Sequence, residues 1–328
     1  MSELAVLCSR SHIPKPYLVD ISLCSRKRIR GRANKFLRLK SMKDLPGTSN
    51  QFGLFLLFLI CGVSLPSLSG LLVFPFSIIP PSFDFMYRVG LSITFFLFTL
   101  VSYKKQSLKK YWKILFSFFI ASFAINLQVM SGFLSPQPSP INTIVLSMVL
   151  STVLVVVPII VLTLISGEDR TSLFLEKGNI KLGLVAGLAG FFIFAAGSIP
   201  EATYLFQGQD LTLDKAFAWA PWILVTVMAN GLREELLYRG LFLKKYGPLL
   251  GPHYSNLLQA IIFSLSHTIA GRGTITYTPY TFALVLFTFL LGLLWGSLMQ
   301  RTNSILGSVL FHAGTDIAVF LGIFSNLL

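Results

Sequence analysis

The sequence predicts an all-α fold, a polytopic transmembrane helix bundle of about eight or nine spans. Three observations carry this. The 328-residue chain is 54% apolar and 12% charged, about half the charge of a soluble domain, and its mean hydropathy is +0.73. From Phe52 onward, apolar runs near the ~20 residues that a bilayer core requires follow one another. Short polar or Pro-rich breaks separate them. In lipid the backbone must satisfy its own hydrogen bonds, which leaves a helix bundle as the architecture.

Residues 1–50 form a basic N-terminal tail with 11 Lys/Arg against Glu3, Asp20 and Asp44. Three readings of it stay open: a solvated cytoplasmic tail, an Arg- and Ser-rich transit-like segment, or residues preceding a start at Met42. The spans are then expected at 52–75 (interrupted by Pro66), 86–102, 112–134, 141–165, 182–199, 216–240, 256–270, 281–299 and 304–325. Lys104–Lys110 is a basic loop, Ser135–Pro140 a breaker, and Glu201–Lys215 a net acidic loop. Gly183, Gly187 and Gly190 of the fifth span are expected as close-packing positions. The chain is expected to divide into the tail (1–50), N-terminal transmembrane helices (51–180) and a C-terminal transmembrane bundle (181–328) that carries the functional site.

The net charge of +14 invites a nucleic-acid reading, but its distribution excludes one. With the tail in the cytoplasm, the inner side collects 104–113, 170–181, Lys244, Lys245 and Arg301, and the outer side keeps Arg88, Lys215 and Arg272. Acidic headgroups of membrane lipids are the partner this pattern fits. Cys8, Cys24 and Cys61 give no disulfide framework.

The densest polar stretch is Gly231-Leu232-Arg233-Glu234-Glu235-Leu236-Leu237-Tyr238-Arg239-Gly240, at the end of an apolar run. Ionised groups at bilayer depth cost ~2.5–3.5 kcal/mol each on insertion scales, so such groups have a task. Glu235 and Arg239 are four apart and share a helix face, which makes them a structural ion pair. Glu234 is turned about 100° away, lacks that partner and is free for chemistry. Phe263-Ser264-Leu265-Ser266-His267 places a histidine one turn beyond a phenylalanine. His312-Ala313-Gly314-Thr315-Asp316 places a histidine and a carboxylate on one face. Arg233 is expected as a loop or headgroup contact, and nothing in the sequence decides whether Asn230 lines the site. His267 falls near the outer end of its span, which fits a shared site if that span starts earlier or dips part-way.

The order E-E-x-x-x-R, F-x-x-x-H, H-x-x-x-D resembles the CAAX protease and bacteriocin-processing family of intramembrane proteases, also called the Abi family. The resemblance covers the last ~150 residues and fades over the first third. It implies a peptidase acting on peptides or membrane-anchored tails: lipidated CAAX-type proteins, or bacteriocin maturation and immunity. It also implies roles. Glu234 and His267 act on the water, and His312 with its i+4 partner acts on the oxyanion, with Glu235, Arg239 and Phe263 in support. That partner is commonly asparagine and is here Asp316, which as a carboxylate donates no hydrogen bond unless protonated. It stays neutral, orients His312 or ligates a metal. A glutamate in an apolar pocket suits a general base. Glu234, His267 and His312, with Asp316, also make an N/O ligand set for zinc, and a metal-free glutamate mechanism stands beside that reading. Two other classes remain. Intramembrane Glu, His and Asp also mark proton relays, hence a transporter, and a non-catalytic immunity or scaffold protein would keep the fold alone. The membrane is expected to be a bacterial plasma membrane, or a plastid membrane if the tail is transit-like.

Overall fold

The computed structural model describes residues 48–65, 72–73, 76–77, 83–133, 140–270 and 279–326. The basic tail up to residue 47, Pro66, most of the 135–140 breaker and Arg272 lie outside the described residues. Within them the apolar runs are helices: α1 (Thr48–Ser64), α2 (Asp84–Lys104), α3 (Trp112–Phe133), α4 (Ile141–Ile165), α5 (Ile180–Leu205), α6 (Leu213–Glu234), α7 (Leu243–Ala270), α8 (Pro279–Thr302) and α9 (Leu306–Ser325). A two-residue hairpin, β1 (Leu72–Val73) with β2 (Phe76–Ser77), lies between α1 and α2. The protein is an integral membrane helix bundle. Six helices among the described residues are long and apolar enough to cross a bilayer. α1, with 17 residues, is a shorter apolar helix. α6 and α7 are more polar: α6 carries Asp214, Lys215, Asn230, Arg233 and Glu234, and α7 carries Lys244, Lys245, His253, Asn256, Gln259 and His267.

The boundaries differ from expectation in three places. α5 runs on through Pro200 to Leu205, so Glu201 is a helix residue and not the first residue of a loop. Below Glu234 the sixth span changes to a π-helical turn, Glu235–Gly240. The Leu241 N–H donates to the Leu236 carbonyl five residues back, at 2.9 Å. Such wide turns inside α-helices concentrate at functional sites. Gly240 permits this turn to approach the preceding loop, since a Cβ there would meet the Leu173 carbonyl oxygen at 3.1 Å. The seventh helix begins at Leu243 and not near 256, with a break at Gly251 where φ is +78°. Glycine adopts that left-handed value without a Cβ penalty.

Three polar segments meet at one end of the bundle. Glu168 takes Lys113 Nζ at 3.2 Å and Lys245 Nζ at 3.0 Å, and Lys244 Nζ reaches Glu176 at 2.7 Å. Asp169 accepts from the Thr171 hydroxyl and from the N–H groups of Thr171 and Ser172. These bonds, the hydroxyl's first, hold its carboxyl below the usual range. The basic segments that charge alone assigns to one side therefore sit together. At the other end, Gln209 N–H donates to Ser325 Oγ and Tyr87 OH to the Ser64 carbonyl.

Helices α5 and α9 pack backbone to backbone, as the glycine stripe leads one to expect. A Cβ on Gly187 would lie 2.7 Å from the Gly307 carbonyl oxygen, and one on Gly190 would enter the Phe311 ring. A Cβ on Gly314 would lie 2.4 Å from Phe191 Cα. Small residues let helices approach this closely where lipid supplies no hydrophobic drive. This pair forms one wall of the site.

Candidate active site

All seven residues of the three motifs gather where α6, α7, α8 and α9 meet. Glu235 and Arg239 are fully buried and joined at 2.6 Å, so the expected pair forms even across the π turn. The guanidinium lies over the rings of Phe263 (4.3 Å) and Trp295 (5.1 Å). That cation–π cradle partly replaces the hydration that burial removes. Phe263 is central packing. It touches Tyr238, His267, Trp295 and His312 edge-on, with centroids between 4.5 and 5.7 Å.

Glu235 has a second task that its pairing with Arg239 does not reveal. The same Oε1 accepts from His312 Nδ1 at 2.8 Å. His312 also stacks flat on Trp295, at 4.2 Å and 10°. Ring tautomer and ring plane are thus both fixed, and Nε2 faces Glu234 Oε2 and Asp316 Oδ1, each 3.6 Å away. On α7, His267 Nδ1 lies 2.9 Å from the Phe263 carbonyl oxygen. A carbonyl can only accept, so Nδ1 carries the proton and Nε2 is left as an acceptor. Although His267 is three residues from the end of α7, it lines the same cavity as Glu234, His312 and Asp316.

Glu234 does not lack a partner, as its helix position alone suggests. Arg233 Nη2 lies 3.1 Å from its Oε1. Arg233 is not a headgroup contact: it is buried, and it binds Ser151 Oγ of α4 at 3.0 Å and the Asn230 side-chain oxygen. Asn230 Nδ2 in turn donates to Asp316 Oδ2 at 2.8 Å. A chain of contacts thus runs Glu234–Arg233–Asn230–Asp316. It occupies one oxygen of each carboxylate, and among the described residues Glu234 Oε2 is buried without a hydrogen-bond partner. The spacing Asn230, Arg233, Glu234 puts these on adjacent helix faces. What sequence could not supply was the inward turn of Arg233 toward Ser151.

The cavity has a volume of about 750 Å³. Glu201, Glu234, His267, His312, Asp316 and Asn230 are among its polar groups, and Phe194, Phe206, Phe287, Leu291 and Phe320 among its apolar ones. No group of three or more His, Cys, Asp or Glu side chains among the described residues converges closely enough to hold a metal ion. As the side chains stand, His312 Nε2 lies 3.6 Å from both Glu234 Oε2 and Asp316 Oδ1, and among the described residues no zinc ligand set is assembled.

Fold and site together define a polytopic helical membrane protein with a buried glutamate–histidine centre. Residues 216–318 match the family model described as type II CAAX prenyl endopeptidase Rce1-like. The match spans α6 to most of α9 with every motif residue, and it agrees with the resemblance that the three motifs carry. No curated protein and no solved structure matches the chain.

Proposed function

We propose that this protein is an intramembrane endopeptidase that cleaves membrane-anchored, lipidated CAAX-type or bacteriocin-like substrates with a glutamate- and histidine-activated water. One observation carries the reading: Glu234 Oε2, without a hydrogen-bond partner, faces His312 in an apolar cavity that His267 also lines. Glu234 is the general base. It takes a proton from water as the water oxygen attacks the scissile carbonyl, and returns it to the leaving amide nitrogen when the C–N bond breaks. His267 Nε2 accepts the water's second O–H and holds it in line. His312 stabilises the oxyanion through Nε2, and because Nδ1 already donates to Glu235 it does so as the imidazolium. Arg233 and Asn230 position Glu234 and Asp316. No step runs through a metal.

The host is proposed as a bacterial plasma membrane, with a plastid membrane as the alternative and the N-terminus cytoplasmic. The meeting of the basic segments at one end of the bundle supports a single cytoplasmic face. The test is cleavage of a farnesylated CAAX peptide and of an unmodified peptide library by detergent-purified protein, wild type beside Glu234→Gln, with metal content measured by elemental analysis. Cleavage that Glu234→Gln abolishes supports the reading. Cleavage that survives it, or that tracks bound zinc, overturns the assigned chemistry.

A further inference from the structure

Glu201 is a carboxylate that the proposed chemistry does not use. It lies on α5, five residues past Ala196 and directly after Pro200, and it lines the same cavity as the catalytic centre. Among the described residues it has neither an ion pair nor a hydrogen bond from any side chain, and Leu205, Phe206 and Phe320 line the same cavity. Glu201 is half-buried, four residues before the end of α5, and a carboxylate against so apolar a lining is costly to keep without a partner. The cavity thus carries a carboxylate on α5 besides the polar centre on α6, α7 and α9.

We infer that Glu201 is a specificity-determining residue that binds a cationic side chain, Lys or Arg, of the substrate peptide. The inference rests on the endopeptidase reading and adds to it a substrate requirement. Spacing sets where the cation falls. Phe191 packs against Gly314, two residues beyond His312. Glu201 is ten residues further along α5, on the order of 15 Å at the rise of an α-helix. An extended peptide advances ~3.3 Å per residue, so the basic residue lies about four or five residues from the scissile bond. The charge balance agrees: Glu201, Glu234 and Asp316 are the ionisable carboxylates of the cavity, and no lysine or arginine lines it.

The experiment scans a lysine through successive positions of a cleavable, membrane-anchored peptide, with glutamine at the same positions as reference. It compares wild type, Glu201→Gln and Glu201→Lys. Wild type is expected to favour lysine over glutamine by about tenfold in kcat/KM at one position four or five residues from the cleaved bond. The gain should lie in KM. Glu201→Gln should erase that ratio, and Glu201→Lys should transfer the preference to a glutamate-bearing peptide. A merely structural carboxylate would not produce this reversal. A wild-type ratio near one at every position, or a ratio that Glu201→Gln leaves intact, overturns the inference while leaving the endopeptidase standing. Failure of the wild-type protein to cleave any peptide overturns both.

Discussion

His312 Nδ1 lies 2.8 Å from Glu235 Oε1, the same oxygen that holds Arg239 at 2.6 Å. One buried carboxylate thereby ties the His312 imidazole of α9 to a cation at the end of the π turn. Removing one member of a buried pair leaves an uncompensated charge, which costs about 3–5 kcal/mol. Glu235→Leu should therefore lower the unfolding temperature sharply and abolish cleavage. Glu235→Leu combined with Arg239→Met should recover much of the stability, because both charges are gone. It should not recover activity, because His312 has lost its acceptor. Thermal unfolding in detergent beside a cleavage assay separates the two. Recovery of both would show that Glu235 has no role in orienting His312.

Glu234 should behave in the opposite way. Its Oε1 accepts from Arg233, a contact that the amide oxygen of glutamine reproduces, and its Oε2 has no hydrogen-bond partner to lose. Glu234→Gln is thus expected to unfold within a few degrees of wild type while cleavage falls by about 10²–10⁴-fold, the contribution of a positioned general base. A large loss of stability without a large loss of turnover would reassign Glu234 to the scaffold and Glu235 to the chemistry.

These paired outcomes mark how much of the site was legible in the sequence. The apolar runs became helices at nearly the expected places, and Gly187 and Gly190 pack as the stripe implies, because both follow from composition and one-dimensional spacing. The Glu235–Arg239 pair was legible for the same reason, whereas the contacts of Glu234 with Arg233 and of Glu235 with His312 were not. The π turn was not, since it depends on the Leu173 carbonyl approaching Gly240 from a distant loop. Nor were the burial of Arg233, which depends on Ser151 some eighty residues away, and the stacking of Trp295 on His312. Each of these is a contact between helices whose register no local pattern encodes.

The α5–α9 contact predicts a graded response to added methyl groups. Gly187→Ala places a Cβ 2.7 Å from backbone oxygen of Gly307, which a rotamer change cannot relieve. It should cost about 1–3 kcal/mol, as overpacking does, and Gly187→Leu should cost more and distort the cavity wall. Gly197 lies on the same helix with nothing within 4 Å of an added Cβ. There Ala should be neutral or stabilising by about 0.5–1 kcal/mol, since it removes the entropy cost of a helical glycine. Equal effects at the two positions in thermal unfolding would refute the close packing.

Asp316 is where the third motif departs from the asparagine common in the family it resembles, and its neighbours predict what restoring asparagine does. Oδ2 accepts from Asn230, and Oδ1 stands 3.6 Å from His312 Nε2. In Asp316→Asn the amide oxygen can keep the Asn230 bond while the amide nitrogen turns a donor toward the oxyanion side. Turnover should be maintained or raised, because a second donor joins His312 there. Asp316→Leu removes both contacts, leaves Asn230 Nδ2 unsatisfied beside the cavity and should lose turnover. The measurement is kcat for the three proteins on one peptide. If Asp316→Asn is as damaged as Asp316→Leu, then the negative charge at 316 is what the site requires, and Asp316 serves to balance His312 and not to stand in for an oxyanion donor.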